Sequence, residues 1–441
     1  MNDLPLTSPL AEIEGQVQER AKNEAAERDQ QATDTQLRAL VTEEIERWND
    51  DYRRGRRDYP IANVELVTER AMRNLSGYGP LEPLLNDDNV WEIMVNAPDA
   101  IFVKRHHGPS GYHDEAFHDD DHVTRTLTKI LDDSTGAHRT LDPSAGLQDA
   151  QLGTAARLHI VHHDIARGGH LIVNIRKFTG LVVTRLDELV ERSMLSTAAS
   201  TFLKSCIAAR QTVIFAGVPG TGKTTLLGCC AAELDPTLRV VIAEEVFEAD
   251  IPLPNVASMQ TRSARVDRPE VNLERLVSGF LRMAPDVAIV GEVRDREALP
   301  LLLTLSSGVT GFTTIHAGSA RKALTRLRFV CQLSEAARGL GLAGLTTLVS
   351  ETVDVVVHCR RTERGPRVQE ILAVEDCDDV HAPSAFQTTT VFRHDPTSDG
   401  LEVTGDLPVR LGRRFRNSGI DLNSILAQPQ SPIRSSPEVR P

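Results

Sequence analysis

Gly217-Val218-Pro219-Gly220-Thr221-Gly222-Lys223-Thr224-Thr225 follows the apolar run Thr212-Val213-Ile214-Phe215-Ala216 and precedes Leu226 to Ala232. The order reads strand, phosphate loop, helix, and it fills every fixed position of G-x-x-x-x-G-K-[ST]. Gly217, Gly220 and Gly222 lack a Cβ, so the backbone can take positive φ and turn N–H groups onto phosphate oxygens. Lys223 adds a charge, and the helix starting near it points its positive end at the same anion. The Thr224 hydroxyl is placed to ligate Mg2+. Thr221 and Thr225 complete the candidate set, for which ATP and Mg2+ are the expected ligands.

Downstream of this loop, strands and helices alternate. Arg239 to Ala243, Val287 to Val290 and Gly311 to Ile315 read as strands, with helices over Leu273 to Met283 and Glu297 to Ser306. That alternation predicts an α/β fold, a mostly parallel sheet covered by helices, which a phosphate loop requires. Ala320 to Leu333 and Leu333 to Val349 read as helices, and Thr352 to His358 and Arg367 to Val374 as late strands. Thr388 to Phe392 and Leu401 to Val403 suit a small β element around Asp399-Gly400, and the Pro- and Ser-rich residues 428–441 are expected to be disordered.

Three strand ends carry candidate chemistry. Val287 to Val290 runs through Gly291 into Glu292, where a carboxylate can orient and polarise the water that attacks a γ-phosphate. Because Gly291 directly precedes it, the metal depends more on Thr224 and water. Ala243-Glu244-Glu245-Val246-Phe247-Glu248 offers Glu244 and Glu248 to hold Mg2+ or its waters, against the plainer alternative of a solvated acidic loop. His316 ends the strand of Thr313-Thr314-Ile315-His316-Ala317, in position to sense a γ-phosphate; alone, such a His is more often a packing or capping residue.

Upstream, residues 1–57 are polar and helix-prone. Leu37, Leu40, Val41, Ile45 and Trp48 recur at helical spacing, whereas Ala11 to Asp29 shows no convincing apolar stripe and reads as a frayed or solvated helix. A further helix over Asn63 to Leu75 leads into a compact domain. There Val90 to Asn96 and Ala100 to Lys104 read as strands, His122 to Leu131 as a helix, and Arg157 to Val161 and Leu171 to Arg176 as two more strands. Alternation puts Leu158, Ile160, Val173 and Ile175 inward and Arg157 and Arg176 on the opposite face, where they are either solvated or functional.

The 441 residues carry 49 Lys and Arg against 62 Asp and Glu, a net charge of −13, with 4% aromatic content. Both features oppose recognition of a long polyanion, so nucleic acid is not the expected partner. The six cysteines show no C-x-x-C pairing, which points to buried reduced thiols. With neither a signal-type N-terminus nor a long apolar run, the expectation is a cytoplasmic protein that meets a membrane only through a partner.

The ordered set of motifs resembles the secretion ATPases of the type II/type IV traffic superfamily, and is most similar to the CpaF-like ATPases of Tad/Flp pili. The resemblance runs from about Gly77 to Val374. It rests on Gly77-Tyr78-Gly79-Pro80-Leu81-Glu82-Pro83-Leu84, Glu92-Ile93-Met94-Val95-Asn96, the phosphate loop, the acids from Glu244 to Glu248, Leu281 to Asp286 running into Gly291-Glu292-Val293-Arg294, and Thr313 to Ala317. It implies a homo-hexamer in which an N-terminal α/β domain and a RecA-like domain clasp ATP, driving an inner-membrane platform protein from the cytoplasmic face. It further implies that Glu292 is the catalytic carboxylate, that Glu244 and Glu248 form an acidic box, and that His316 senses phosphate. Arg294 joins that catalytic set, Arg262 approaches the phosphates, and Arg157 and Arg176 reach the nucleotide from the N-terminal domain. Gly308-Val309 stands where the family usually has Gly-His, and Asp149-Ala150-Gln151 where it tends to have Asp-Ala-Arg. The expected organisation is a helical, partly flexible extension over 1–57, the N-terminal α/β domain over 58–180, a linker over 181–196, the RecA-like domain over 197–376, a small C-terminal β or irregular element over 377–427 and a disordered tail over 428–441. Two rivals are a conjugative DNA-transfer ATPase of the same fold and a regulatory nucleotide-binding subunit.

Overall fold

A computed structural model describes residues 9–28, 32–106, 108–133, 141–143, 146–152, 156–177, 183–262, 264, 268–376, 384–395, 397 and 400–427. The expected disorder of 428–441, the side of the last turn at Asp399, and Cys377 lie outside these residues. The chain divides between residues 181 and 182 into two compact units.

The first unit opens with three helices, α1 (Pro9–Arg28), α2 (Asp34–Arg53) and α3 (Val64–Ser76). Thr33 starts α2 with a capping box, its hydroxyl accepting from the Gln36 amide while Gln36 reaches back to the Thr33 amide. Contrary to the expectation of a solvated first helix, α1 buries Leu10, Ile13 and Val17 against Leu40, Val41, Ile45 and Trp48 of α2. Three residues at i, i+3 and i+7 suffice because the partner helices supply the rest of that core. After the short α4 (Glu82–Asn86), six strands form an antiparallel sheet: β1 (Val90–Ala97), β2 (Ala100–Arg105), β3 (Gly111–Tyr112), β4 (Leu147–Leu152), β5 (Ala156–Val161) and β6 (Ile172–Lys177), in the order β3-β2-β1-β6-β5-β4. α5 (Asp120–Asp132) covers one face through Val123, Leu127, Ile130 and Leu131, which meet Ile93, Val95, Leu158, Ile160, Val173 and Ile175. On the other face Arg157 and Arg176 are direct cross-strand partners.

The second unit begins with α6 (Leu186–Glu191), inside the stretch expected to be linker, and α7 (Thr197–Ala208). Its sheet contains β7 (Val213–Ala216), β8 (Val240–Glu244), β9 (Val256–Gln260), β10 (Val287–Val293), β11 (Thr310–Ile315), β12 (Val355–Thr362), β13 (Gly365–Val374), β14 (Thr388–Asp395) and β15 (Gly400–Val403). The order is β15-β14-β13-β12-β7-β11-β10-β8-β9; β12 through β9 run parallel, and β13, β14 and β15 extend the sheet antiparallel. The helices are α8 (Lys223–Ala231), α9 (Leu273–Val277), α10 (Ala298–Ser306), α11 (Ala320–Cys331), α12 (Leu342–Thr352), α13 (Val409–Asn417) and α14 (Leu422–Leu426). Both faces are covered, which is why residues 213–216, 240–243 and 287–290 are apolar at every position. Val213, Phe215, Val240, Ile242, Val287 and Ile289 join one core with α7, α8, α13 and α14. Their neighbours Ile214, Ala216, Val241, Ala243, Ala288 and Val290 join the other with α10, α11 and α12.

The C-terminal helices are fastened by charge as well as packing. Arg410, 5% exposed, donates to the carbonyls of Ser350 and Glu351 and pairs with buried Asp354 at 2.8 Å, to which Arg414 adds a contact at 2.6 Å. The five described cysteines, Cys206, Cys229, Cys230, Cys331 and Cys359, are buried and free. No helix among the described residues is long and apolar enough to cross a membrane.

Candidate functional site

Because β7, β8, β10 and β11 run parallel, their carboxyl ends share one edge of the sheet. The loop 217–222 follows β7, Glu244 is the last residue of β8, Glu292 lies near the end of β10, and His316 directly follows β11. Gly217 has φ 153°, and a Cβ there would stand 2.4 Å from the Cys359 carbonyl oxygen. Gly222 caps α8 in the left-handed region at φ 82°. The Thr221 hydroxyl, fully buried, donates to the Val218 carbonyl at 2.8 Å.

A continuous set of contacts leads away from the loop. Lys223, 6% exposed, donates from Nζ to the Val218 carbonyl at 3.1 Å and stands 3.3 Å from His316 Nδ1. That same Nδ1 lies 3.1 Å from the Gly217 carbonyl, while Nε2 is 2.8 Å from Glu292 Oε1. An ammonium requires Nδ1 to accept and a carbonyl requires it to donate, so a neutral ring serves only one of them. Arg294 donates from Nη2 to Glu292 Oε2 at 2.9 Å and from Nη1 to Glu245 Oε2 at 2.8 Å. An open cleft of about 620 Å³ adjoins the loop, lined by Val218, Pro219, His316, Lys322, Arg326 and Phe329. Its two cations make it electropositive.

The two glutamates are tuned in opposite directions. Burial alone raises the Glu292 carboxyl, but hydrogen bonds from His316 and Arg294 outweigh it and hold the group at about 2. Glu244, 2% exposed, is pushed up to about 7 by burial, which the amides of Ala249 and Glu248 at 3.0 and 3.2 Å on Oε1 only partly offset. Its Oε2 is buried without a hydrogen-bond partner among the described residues. The Glu244 stem rests on Gly291, where a Cβ would stand 2.9 Å from Glu244 Cγ. That contact accounts for a glycine directly before Glu292.

The raised carboxyl has a measurable consequence. Between its ordinary 4.5 and about 7, Glu244 binds more protons folded than unfolded, so stability falls as pH rises through that window. The full effect is about 3 kcal/mol by the conversion of pKa to free energy. Glu292 acts in a lower window, where stability is lost as pH falls from 4.5 to about 2. Without nucleotide or magnesium, Glu244→Gln is therefore expected to melt progressively higher than wild type from pH 5 to pH 8. Parallel calorimetric curves for the two proteins would show that Glu244 is not so tuned.

Of the residues singled out from sequence, Lys223, Glu292, Arg294 and His316 come together directly. Thr224 is half-buried in the first turn of α8 and Thr225 exposed, while Glu248 contributes its amide to Glu244. Arg262 is not brought into that network: its guanidinium donates to the Pro269 carbonyl at 3.2 Å, and its backbone pairs with Val271. In the first unit Arg157 lies 3.7 Å from Asp149, and Arg176 3.6 Å from Glu92. Two residues escaped the sequence reading. Glu245 hydrogen-bonds Arg294. Arg361 of β12 donates to the Gly220 carbonyl at 3.1 Å, across a sequence separation that no local pattern could reveal.

A family model described as Type II/IV secretion system protein matches residues 74–387. Rv3659c of Mycobacterium tuberculosis, named for conjugal transfer, is 31% identical over 357 residues, covering 79% of this chain and 96% of that protein. The type IV secretion system protein PtlH of Bordetella pertussis is 29% identical over 312 residues, covering 65% of this chain and 90% of its own. Among solved structures, the VirB11 ATPase of Brucella suis in complex with sulphate aligns with a TM-score of 0.36 and 24% identity, over 66% of this chain and 91% of that one.

Proposed function

Because the chain belongs to the type II/IV secretion system protein family, we propose that it binds ATP on the loop 217–222 and hydrolyses it to power pilus assembly or protein export. The observation that carries this reading is the run of contacts from Lys223 through His316 to Glu292 and Arg294, which ties a phosphate-binding cation to a water-orienting carboxylate. The residues suit the expected ligands. Gly217 leaves space that no side chain could share, and the unpartnered Glu244 Oε2 calls for a cation or a donor. Thr224 and Glu244 would hold magnesium, in part through water, and the ion when bound neutralises phosphate charge.

In this mechanism the loop amides of Gly217, Gly220, Thr221 and Gly222, with the first turn of α8 at Thr224 and Thr225, receive the phosphates. Lys223 leaves the Val218 carbonyl for phosphate oxygens, and His316 reports the change to Glu292. Glu292 orients the attacking water. Arg294 and Glu248 shape the charge around it. Arg157 and Arg176 supply cations from the N-terminal domain over 58–180, which moves against the RecA-like domain over 197–376 as nucleotide binds and leaves. The assembly is a homo-hexamer at the cytoplasmic face, coupled to a membrane platform protein, and its most specific assignment is a CpaF-like Tad/Flp pilus ATPase.

Phosphate release from ATP by the full chain, together with a shift to a hexamer on sizing with a non-hydrolysable analogue, is the expected result; a nucleotide-independent monomer without turnover would remove the motor. A second reading, a motor for conjugal transfer, is favoured by the relative of that name. Direct contact with DNA would show as duplex binding that weakens steeply with salt. The net charge of −13 predicts none.

A further inference from the structure

The phosphate loop is fastened on its far side by the hairpin of β12 and β13. Arg361 Nη1 donates to the Gly220 carbonyl at 3.1 Å. Gly217 passes under β12, and Gly222 is held so that a Cβ would lie 3.1 Å from Met194 Cε and 3.3 Å from Pro366 Cβ. The hairpin is itself tied to the segment before α7, with the Val368 amide donating to the Met194 carbonyl at 2.8 Å and Arg367 to the Arg192 carbonyl at 3.1 Å. Burial holds the Arg361 guanidinium below its ordinary value.

The sheet order places β7 between β12 and β11. Arg361 therefore stands on one side of the loop, and Lys223 Nζ with His316 on the other. A trans peptide is planar, so its carbonyl and the following N–H point in opposite directions. A Gly220 carbonyl drawn toward Arg361 turns the Thr221 N–H toward the side of Lys223 and His316, where an anion would sit. Gly220 has φ 74°, in the region where glycine moves most easily, so an untethered peptide plane there could flip.

We infer that Arg361 is a positioning residue for ATP: through the Gly220 carbonyl it locks the Gly220-Thr221 peptide with its N–H facing the phosphates. The inference rests on the ATPase reading above. It assigns the β12–β13 hairpin a part in setting nucleotide affinity, acting through the loop backbone and not through the reacting atoms. A clamp of this kind serves the ground state and the transition state alike, so its loss raises KM and leaves kcat nearly unchanged.

The test uses the full chain as wild type, Arg361→Ala, Arg361→Lys and Lys223→Ala, with a fluorescent ATP analogue for Kd and phosphate release for KM and kcat. Arg361→Ala is expected to raise Kd and KM about tenfold, the scale of one hydrogen bond to a charged group. Arg361→Lys is expected to recover part of that loss, because an ammonium can still donate to the carbonyl. If the alanine variant melts early, the lysine variant carries the comparison with wild type. An unchanged Kd, or a fall in kcat at constant KM, overturns the inference. When Lys223→Ala abolishes binding and the Arg361 variants match wild type, this inference alone is lost; wild type that binds no nucleotide removes the ATPase reading with it.

Discussion

Lys223→Ala is expected to lower ATP affinity by roughly 100-fold or more, the order of effect for removing a buried charge-assisted contact. The ammonium is almost fully buried and held by the Val218 carbonyl and His316, so its position is set before any ligand arrives. An alanine removes the cation and leaves the loop otherwise intact, since the Thr221 hydroxyl still donates to the Val218 carbonyl. Melting temperature should therefore change little while binding of a fluorescent ATP analogue is lost. Wild-type affinity in this variant would mean that the loop is not the nucleotide site, and every role assigned around it would go with it.

The parallel core was readable because the physics there is local. Each of the runs 213–216, 240–243 and 287–290 is apolar at every position, and the structure sends alternate residues into two separate cores. Buried on both faces, such strands need no partner to be recognised. The edge strands were harder. β4 and β9 mix Gln, Asp and Ser with apolar residues, and at the sheet edges polar residues are tolerated. α13 falls in the stretch expected to be β or irregular, and its basic residues find their place only once Asp354 pairs with both Arg410 and Arg414. The buried ion pair of Arg410 with Asp354 connects residues 56 positions apart, so nothing near Arg410 announces it.

The site divides along the same line. Lys223 and Thr224 follow from loop spacing and Glu292 from the end of one strand, whereas Arg294 entered only with the family resemblance. Choosing Glu244 also followed from its place at the end of β8, but its burial against Gly291 did not, because that contact joins two different strands. Glu245 was passed over since the regular alternation ends with β8, leaving its direction undefined by pattern. Arg361 required the sheet order itself, which alone brings β12 beside β7.

Glu292→Gln is expected to reduce kcat by roughly 10² to 10⁴, the range for removing a positioned general base, with nucleotide affinity nearly unchanged. The glutamine retains an acceptor for His316 but can no longer take a proton or carry charge. In the resting protein Glu292 is held at about 2 by His316 and Arg294, too acidic to be an effective base. Competence then requires those partners to move, and the path is already laid out: Lys223 touches His316, and His316 touches Glu292. The pH profile separates this carboxylate from its neighbour. Because the free protein's Glu292 titrates near 2 and Glu244 near 7, an acid limb of kcat/KM close to neutrality would belong to Glu244, with activity rising as pH rises through it. That limb should vanish in Glu244→Gln. If Glu292→Gln instead keeps a rate within about threefold of wild type, with the neutral limb intact, the water-activating role passes to Glu244, and Glu292 is left as the anchor for Arg294 and His316.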